Sequence, residues 1–133
     1  MRDSSNVFHL AIPCKDLDET VDFYVFKLGC KLARRYEDRV TIDFFGDQVV
    51  CHLDPHSIDP DPKLYPRHFG ITFKDRVEFD NLLKLVEVRH LPVFTPLFTR
   101  FAKTVEEHSS IVLIDPANNL LEFKHYIDPR MMY

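Results

Sequence analysis

The segments HLAIPCKD (residues 9–16) and HFGITFKD (68–75) share four residues in register, at an offset of 59. His9 matches His68, Ile12 matches Ile71, Lys15 matches Lys74 and Asp16 matches Asp75. A repeat of that period in 133 residues predicts two copies of one supersecondary unit rather than one continuous layer. A single histidine in a strand needs no explanation; a duplicated one implies a shared task.

The pattern around each copy is the same. VFHLAIP (7–13) alternates as a strand, with Phe8, Leu10 and Ile12 on one face and His9 on the other. DLDETVDFYVFKLG (16–29) reads as a helix, with Asp16 as N-cap, Glu19 at capping-box spacing and Gly29 as the stop. Its apolar positions Leu17, Val21, Tyr24 and Leu28 recur at helical spacing. Segments 31–37, 39–45 and 48–54 follow as strands, with a tight turn at FFGDQ. After a Pro- and Asp-rich linker (55–66), the order returns: strand 67–74, a helix from Asp75 to about residue 90, an irregular edge strand broken by Pro92 and Pro96, and strands 109–115 and 120–127. Asn118 suits a left-handed turn between the last two. The prediction is one α+β domain over 1–133, made of paired βαβββ modules (about 6–54 and 67–128). They form a curved mixed sheet with a cavity on the face the helices leave open.

Composition narrows the function. A net charge of −4 and pI near 5.9 argue against a nucleic-acid or anionic-membrane partner. No apolar run approaches signal-peptide or membrane-spanning length, and Cys14, Cys30 and Cys51 form no CxxC pair, so a cytoplasmic protein with buried free thiols is expected. Twelve Phe and no Trp suggest a phenylalanine-rich core, with some rings free to line an apolar pocket.

Following the strand faces gathers polar residues on one side. If Phe8, Leu10 and Ile12 pack under the first helix, His9 faces the cavity; Phe69, Ile71 and Phe73 send His68 there likewise. Leu121 and Phe123 face the second helix and leave Glu122 and Lys124 on the cavity side, while Val49, Cys51 and Leu53 leave His52 there. The internal two-fold then pairs His9 with His68 and His52 with Glu122. Each residue taken alone reads as an ordinary strand side chain. Together they make a candidate metal set, because buried carboxylates and imidazoles must be paired or ligate a cation. Two histidines and a carboxylate leave positions open on a divalent metal, and His52 as a fourth ligand would leave about two on a six-coordinate ion.

HLAIPCKDLDETVDFYVFKLGC, HFGITF and SSIVLIDPANNLLEFKHY resemble the vicinal oxygen chelate superfamily, which includes glyoxalase I, type I extradiol dioxygenases, and fosfomycin- and bleomycin-resistance proteins. DPANNLLEF is similar to the family's Asp-Pro-x-Gly-Asn-x-x-Glu segment, with Asn118 in place of the usual glycine. The resemblance spans about 7–128 and is strongest to a small extradiol-dioxygenase-like or glyoxalase-like subgroup. It implies a divalent metal held by His9, His68 and Glu122. His52 stands where glyoxalase I usually has Glu.

Two further residues stand out. His108, in EEHSSIV, reads as an acid/base group near a bound substrate or as an exposed loop histidine. Arg100, in TRF, reads as a contact for an anionic substrate group or as an ordinary surface ion pair. Three functions follow. The first is extradiol ring cleavage of a catechol-like small molecule, with Fe(II) favoured, His108 moving protons and His52 beside the substrate. The second is a glyoxalase-like isomerase or lyase with Zn, Ni or Mn and Glu122 as base. The third is a non-catalytic binding or resistance protein. A homodimer is expected, because each module leaves an open sheet edge.

Overall fold

A computed structural model describes residues 3–133. The elements are β1 (His9–Cys14), α1 (Leu17–Val21), β2 (Lys31–Arg35), β3 (Arg39–Phe44), β4 (Asp47–Leu53), β5 (Phe69–Phe73), α2 (Arg76–Val88), β6 (Val93–Arg100), β7 (His108–Ile114) and β8 (Leu120–Tyr126). They make two mixed four-stranded sheets of identical order, β1-β4-β3-β2 and β5-β8-β7-β6, with the first pair of each parallel and the rest antiparallel. The sheets are curved and open, and the class is α+β, as the repeat predicts. Two compact units result, the first reaching Asp61 and taking in Pro116–Asn119, the second holding Pro62–Asp115 and Leu120–Tyr133. No helix among the described residues is long and apolar enough to cross a membrane.

In the first unit Asp16 caps α1, its carboxylate accepting from the Glu19 amide at 2.8 Å. Glu19 itself turns to Lys15 at 3.6 Å, so only half of the expected capping box forms. The helix then widens into a π-helical turn over Asp22–Lys27, with the Leu28 amide donating to the Phe23 carbonyl five residues back at 2.8 Å. The extra residue per turn lets the adjacent Phe23 and Tyr24 both be buried, with Tyr24 edge-on to Phe44 at 6.4 Å, in a unit whose core also holds Val40, Ile42, Val49 and Cys51. Gly29, at φ 87°, ends the helix where expected. Phe8 departs from expectation. It lies ahead of β1 and is 54% exposed, its amide held by the Asp47 carboxylate at 2.7 Å and its carbonyl by the Gln48 amide at 2.8 Å.

The second unit repeats the plan with a longer helix. Asp75 caps α2 by accepting from the Val77 amide at 2.7 Å. Phe79, Leu82 and Val86 are the buried residues of α2, which packs on β5 and β8, the Phe79 ring lying 6.1 Å from that of Phe73. His125 faces this helix side, its ring stacked on Phe79 at 6.3 Å. β6 is the edge strand, irregular at its bulges as its prolines require. Asn118 takes the left-handed conformation (φ 63°) and donates to the Asp59 carbonyl at 3.0 Å. Cys14, Cys30 and Cys51 are buried, and none forms a disulfide among the described residues.

Candidate functional site

Register fixes which side chains share a face. In the second unit Gly70 pairs with Glu122, Thr72 with Lys124, Val112 with Glu122, Ser110 with Lys124, and His108 with both Tyr126 and Arg100. Glu122, Lys124, Ser110, His108 and Arg100 therefore stand on the face opposite α2, because directly paired residues point the same way. Glu122 is only 7% exposed, so its charge needs a partner.

His68 is that partner, with Nε2 3.0 Å from Glu122 Oε2, and Lys124 Nζ lies 3.8 Å from the same oxygen. His68 sits just ahead of β5 rather than inside it, because the strand begins at Phe69. Its Nδ1 donates to the Leu64 carbonyl at 2.6 Å, an acceptor only, so the Nδ1 proton is fixed. The Nε2 lone pair then faces a carboxylate oxygen. Two electron-rich atoms at 3.0 Å need a cation between or upon them, either a proton on Nε2 or a metal ion bound by both groups. Histidine that spends one nitrogen on a carbonyl and presents the other to a carboxylate has the outer-sphere support of a metal ligand. An imidazole nitrogen and a carboxylate oxygen are two donors of the kind a divalent cation takes.

β5 and β8 are pinched where Glu122 emerges. A Cβ built on Gly70 would stand 1.7 Å from the Glu122 carbonyl oxygen, which no side chain tolerates. Glycine is required here for close strand approach.

The first unit carries the equivalent histidine in the equivalent state. His9 Nδ1 donates to Gln48 Oε1 at 2.6 Å, and the residue is exposed. Gln48 also borders a groove of about 430 Å³ lined by Val7, Arg34, Thr41 and Asp43, of which Thr41 and Asp43 share the His9 face.

His52 requires a correction. It is exposed, on the predicted face, but lies opposite Pro13 and Arg39. The residue opposite Ala11, which is the repeat equivalent of Gly70, is Val50. Val50, not His52, therefore holds the place of Glu122, and His52 holds the place of Lys124. The strands β4 and β8 are related by an offset of 72 residues, two more than a pairing of His52 with Glu122 assumes. An even slip preserves the face and moves the position. Among the described residues no three or more His, Cys, Asp or Glu side chains are gathered in a metal-holding group; His68 and Glu122 are brought together as a pair.

His108 is the first residue of β7 and 6% exposed, not a loop residue. Its Nδ1 donates to the Glu106 carbonyl at 2.9 Å, and its ring lies 4.5 Å from that of Tyr126. Four residues along β7 from the Glu122 row, it stands about 13 Å down the strand at roughly 3.3 Å per residue. Arg100 has no carboxylate partner among the described residues. Its Nη1 donates to the Tyr65 hydroxyl, and its guanidinium carbon lies 5.9 Å from the Tyr65 ring and 5.3 Å from the Phe101 ring. Tyr65 in turn meets His68 edge-on, ring centroids 5.7 Å apart. Tyr65, in the linker, is the site residue that pattern reading did not single out; Lys124 was placed on the cavity side but given no role. Lys124 was signalled by its alternation with Glu122, whereas nothing in the linker marked Tyr65.

The whole chain is similar, at 62% identity and a TM-score of 0.96 with complete coverage of both, to the crystal structure of a glyoxalase/bleomycin resistance protein/dioxygenase from Alicyclobacillus acidocaldarius. The fold also matches the fosfomycin resistance protein FosX of Listeria monocytogenes (TM-score 0.72, 17% identity, 94% of this chain and 97% of that one). A lactoylglutathione lyase of Agrobacterium tumefaciens matches it as well (0.68, 17%, 97% and 98%). Among curated proteins, a glyoxalase domain-containing protein, RDO1, of Mycosarcoma maydis is 26% identical across 92% of this chain and 69% of its own length. The model of the Glyoxalase/Bleomycin resistance protein/Dioxygenase superfamily matches residues 6–123, the stretch that holds both histidine repeats and the Glu122 carboxylate, and the chain belongs to that superfamily.

Proposed function

We propose that this chain is a divalent-metal enzyme of the extradiol ring-cleavage type, acting on a small catechol-like substrate through two neighbouring oxygens. One observation carries the choice: Val50 occupies the place that Glu122 holds in the other unit. If the ligands are those the sequence implies, His9, His68 and Glu122, the first unit offers no carboxylate in the place of Glu122 to make a fourth, and a six-coordinate ion so held would have room for a bidentate substrate and O2. Superfamily members typically bind divalent metals. The metal, Fe(II) by preference, supplies Lewis acidity to the adjacent substrate oxygens and redox access to O2.

The chain's own residues prepare that chemistry. Leu64 and Gln48 lock Nδ1 of His68 and His9 as donors, so both Nε2 atoms are available to a cation. Lys124 balances the Glu122 charge. His108, whose Nδ1 donates to the Glu106 carbonyl, is the proposed acid/base group for a substrate long enough to extend along β7 from the Glu122 row. A homodimer belongs to the proposal: edge strand β2 is exposed throughout, and β6 exposes Val93, Phe94 and Leu97. Light scattering on the purified chain tests this.

The deciding experiment loads the protein anaerobically with Fe(II), verifies the bound metal, and follows oxygen uptake against a panel of catechols. One O2 consumed per yellow ring-opened product supports the proposal. Bound Fe(II) with no uptake across the panel overturns it. The second reading is a glyoxalase-type lyase, the activity for which the Agrobacterium tumefaciens neighbour is named. Its assay is Ni(II)- or Zn(II)-dependent loss of a methylglyoxal–glutathione adduct. A resistance or binding role is distinguished by aromatic-ligand binding that survives chelation of the metal.

A further inference from the structure

We infer that the substrate carries an anionic group, a carboxylate or similar oxyanion, set away from its chelating oxygens and held by Arg100 with the help of Tyr65. The inference rests on the reading above that small oxygen chelators occupy the His68–Glu122 site.

A half-buried guanidinium normally finds a carboxylate. Arg100 has none among the described residues, in a protein of net charge −4 with 21 acidic side chains to choose from. Its recorded contacts are to the Tyr65 hydroxyl and the faces of Tyr65 and Phe101. Those contacts hold the guanidinium in place while leaving Nε and Nη2 uncommitted, which suits a two-pronged contact with an oxyanion.

Position argues the same way. Tyr65 touches Arg100 on one side and the His68 ring on the other, so the cation stands one aromatic ring away from the candidate metal ligand. Among the described residues of the face shared by Glu122, Lys124, Ser110, His108 and Arg100 the acid is Glu122, already matched by His68 and Lys124. The surplus positive charge lies toward the Arg100 end. Ser110, fully buried on that face, has a hydroxyl with no hydrogen-bond partner. An aromatic diol with an acidic side chain satisfies both ends, its oxygens at the His68–Glu122 end and its anion on Arg100.

Calorimetry on the full chain loaded with Zn(II), a redox-inert ion that would bind a diol without turning it over, compares catechol with 3,4-dihydroxyphenylacetate. The acid is expected to bind about tenfold tighter or more, with an advantage that shrinks as salt rises. Arg100→Gln removes the preference, Arg100→Lys keeps part of it, and Tyr65→Phe, which retains the ring and loses the acceptor, weakens it. Equal affinities in the parent, or a preference untouched in a folded Arg100→Gln or Arg100→Lys, overturn the inference and leave the functional reading intact. If the loaded protein binds neither diol, the catechol reading falls. The metal-free chain then decides the inference alone: 4-hydroxyphenylacetate should bind in preference to 4-methylphenol in an Arg100-dependent way, and no preference overturns it.

Discussion

His68 turns Nε2 to Glu122 Oε2 at 3.0 Å, because its Nδ1 proton is donated to the Leu64 carbonyl. The contact therefore depends on an added cation. Removing the imidazole leaves a carboxylate that is 7% exposed with only Lys124, 3.8 Å away, to balance it. His68→Ala is expected to cost about 2–3 kcal/mol of metal-free stability in urea unfolding. It should also abolish the rise in Tm that excess divalent metal gives the parent; metal at a hundred times its Kd adds about 2.7 kcal/mol. A parent Tm indifferent to Fe(II), Zn(II), Ni(II) and Mn(II) would mean that the cation is only a proton.

Most of the fold was legible because the repeat and the caps are local signals. Asp16, Asp75, Gly29 and Asn118 act where their side-chain chemistry says they should. Strand faces were legible too, since alternation sends Glu122 and Val49 to opposite sides of their sheets whatever the exact pairing. Pairing itself was not. The place of Glu122 in the first unit goes to Val50 by a two-residue slip that alternation cannot detect. Tyr65 was invisible for a different reason: a loop residue's contacts depend on where the chain carries it, and no periodicity encodes that.

Gly70 tests how closely strand geometry and site are joined. An added methyl would fall 1.7 Å from the Glu122 carbonyl, so β5 and β8 must part locally. Gly70→Ala is expected to destabilise the chain by about 3 kcal/mol, at the upper end for overpacking, and to weaken metal binding with it. The repeat-equivalent residue is already alanine, Ala11, opposite Val50, so the constraint belongs to the second unit's site and not to the βαβββ plan. A Gly70→Ala protein with unchanged unfolding and metal response would refute the pinch.

Cys30 sets an alkaline limit on the fold. Burial, reinforced by the negative charge of Asp43, pushes its thiol up from 9.0 to about 12. The folded chain thus holds this proton more tightly than the unfolded chain. The resulting stability is complete below about pH 9 and is lost as the pH rises toward 12. Urea midpoints should fall across that window, and the fall should be smaller in Cys30→Ala. Alkylation of Cys30 by iodoacetamide should stay slow in the native state at pH 9, where a free thiol reacts readily. Rapid native-state labelling would contradict it.

The three-ligand reading makes opposite forecasts for two neighbours on β4. His52 is exposed and opposite Pro13, so His52→Ala should leave metal content and metal-dependent stabilisation unchanged. Loss of metal would restore it as a ligand and reduce the room for a bidentate substrate with O2. Val50 is 7% exposed and stands where the other unit has its carboxylate. Val50→Glu buries an uncompensated charge in the metal-free protein, a cost of several kcal/mol. A divalent ion should return that cost, so the variant's Tm should rise more steeply with Zn(II) or Ni(II) than the parent's. With four ligands in place, catechol-dependent oxygen uptake should disappear even when Fe(II) is bound, because too few positions remain for both substrate and O2. If Val50→Glu is destabilised equally with and without metal, Val50 does not face the ion, and the equivalence drawn from register would fail as a guide to this site.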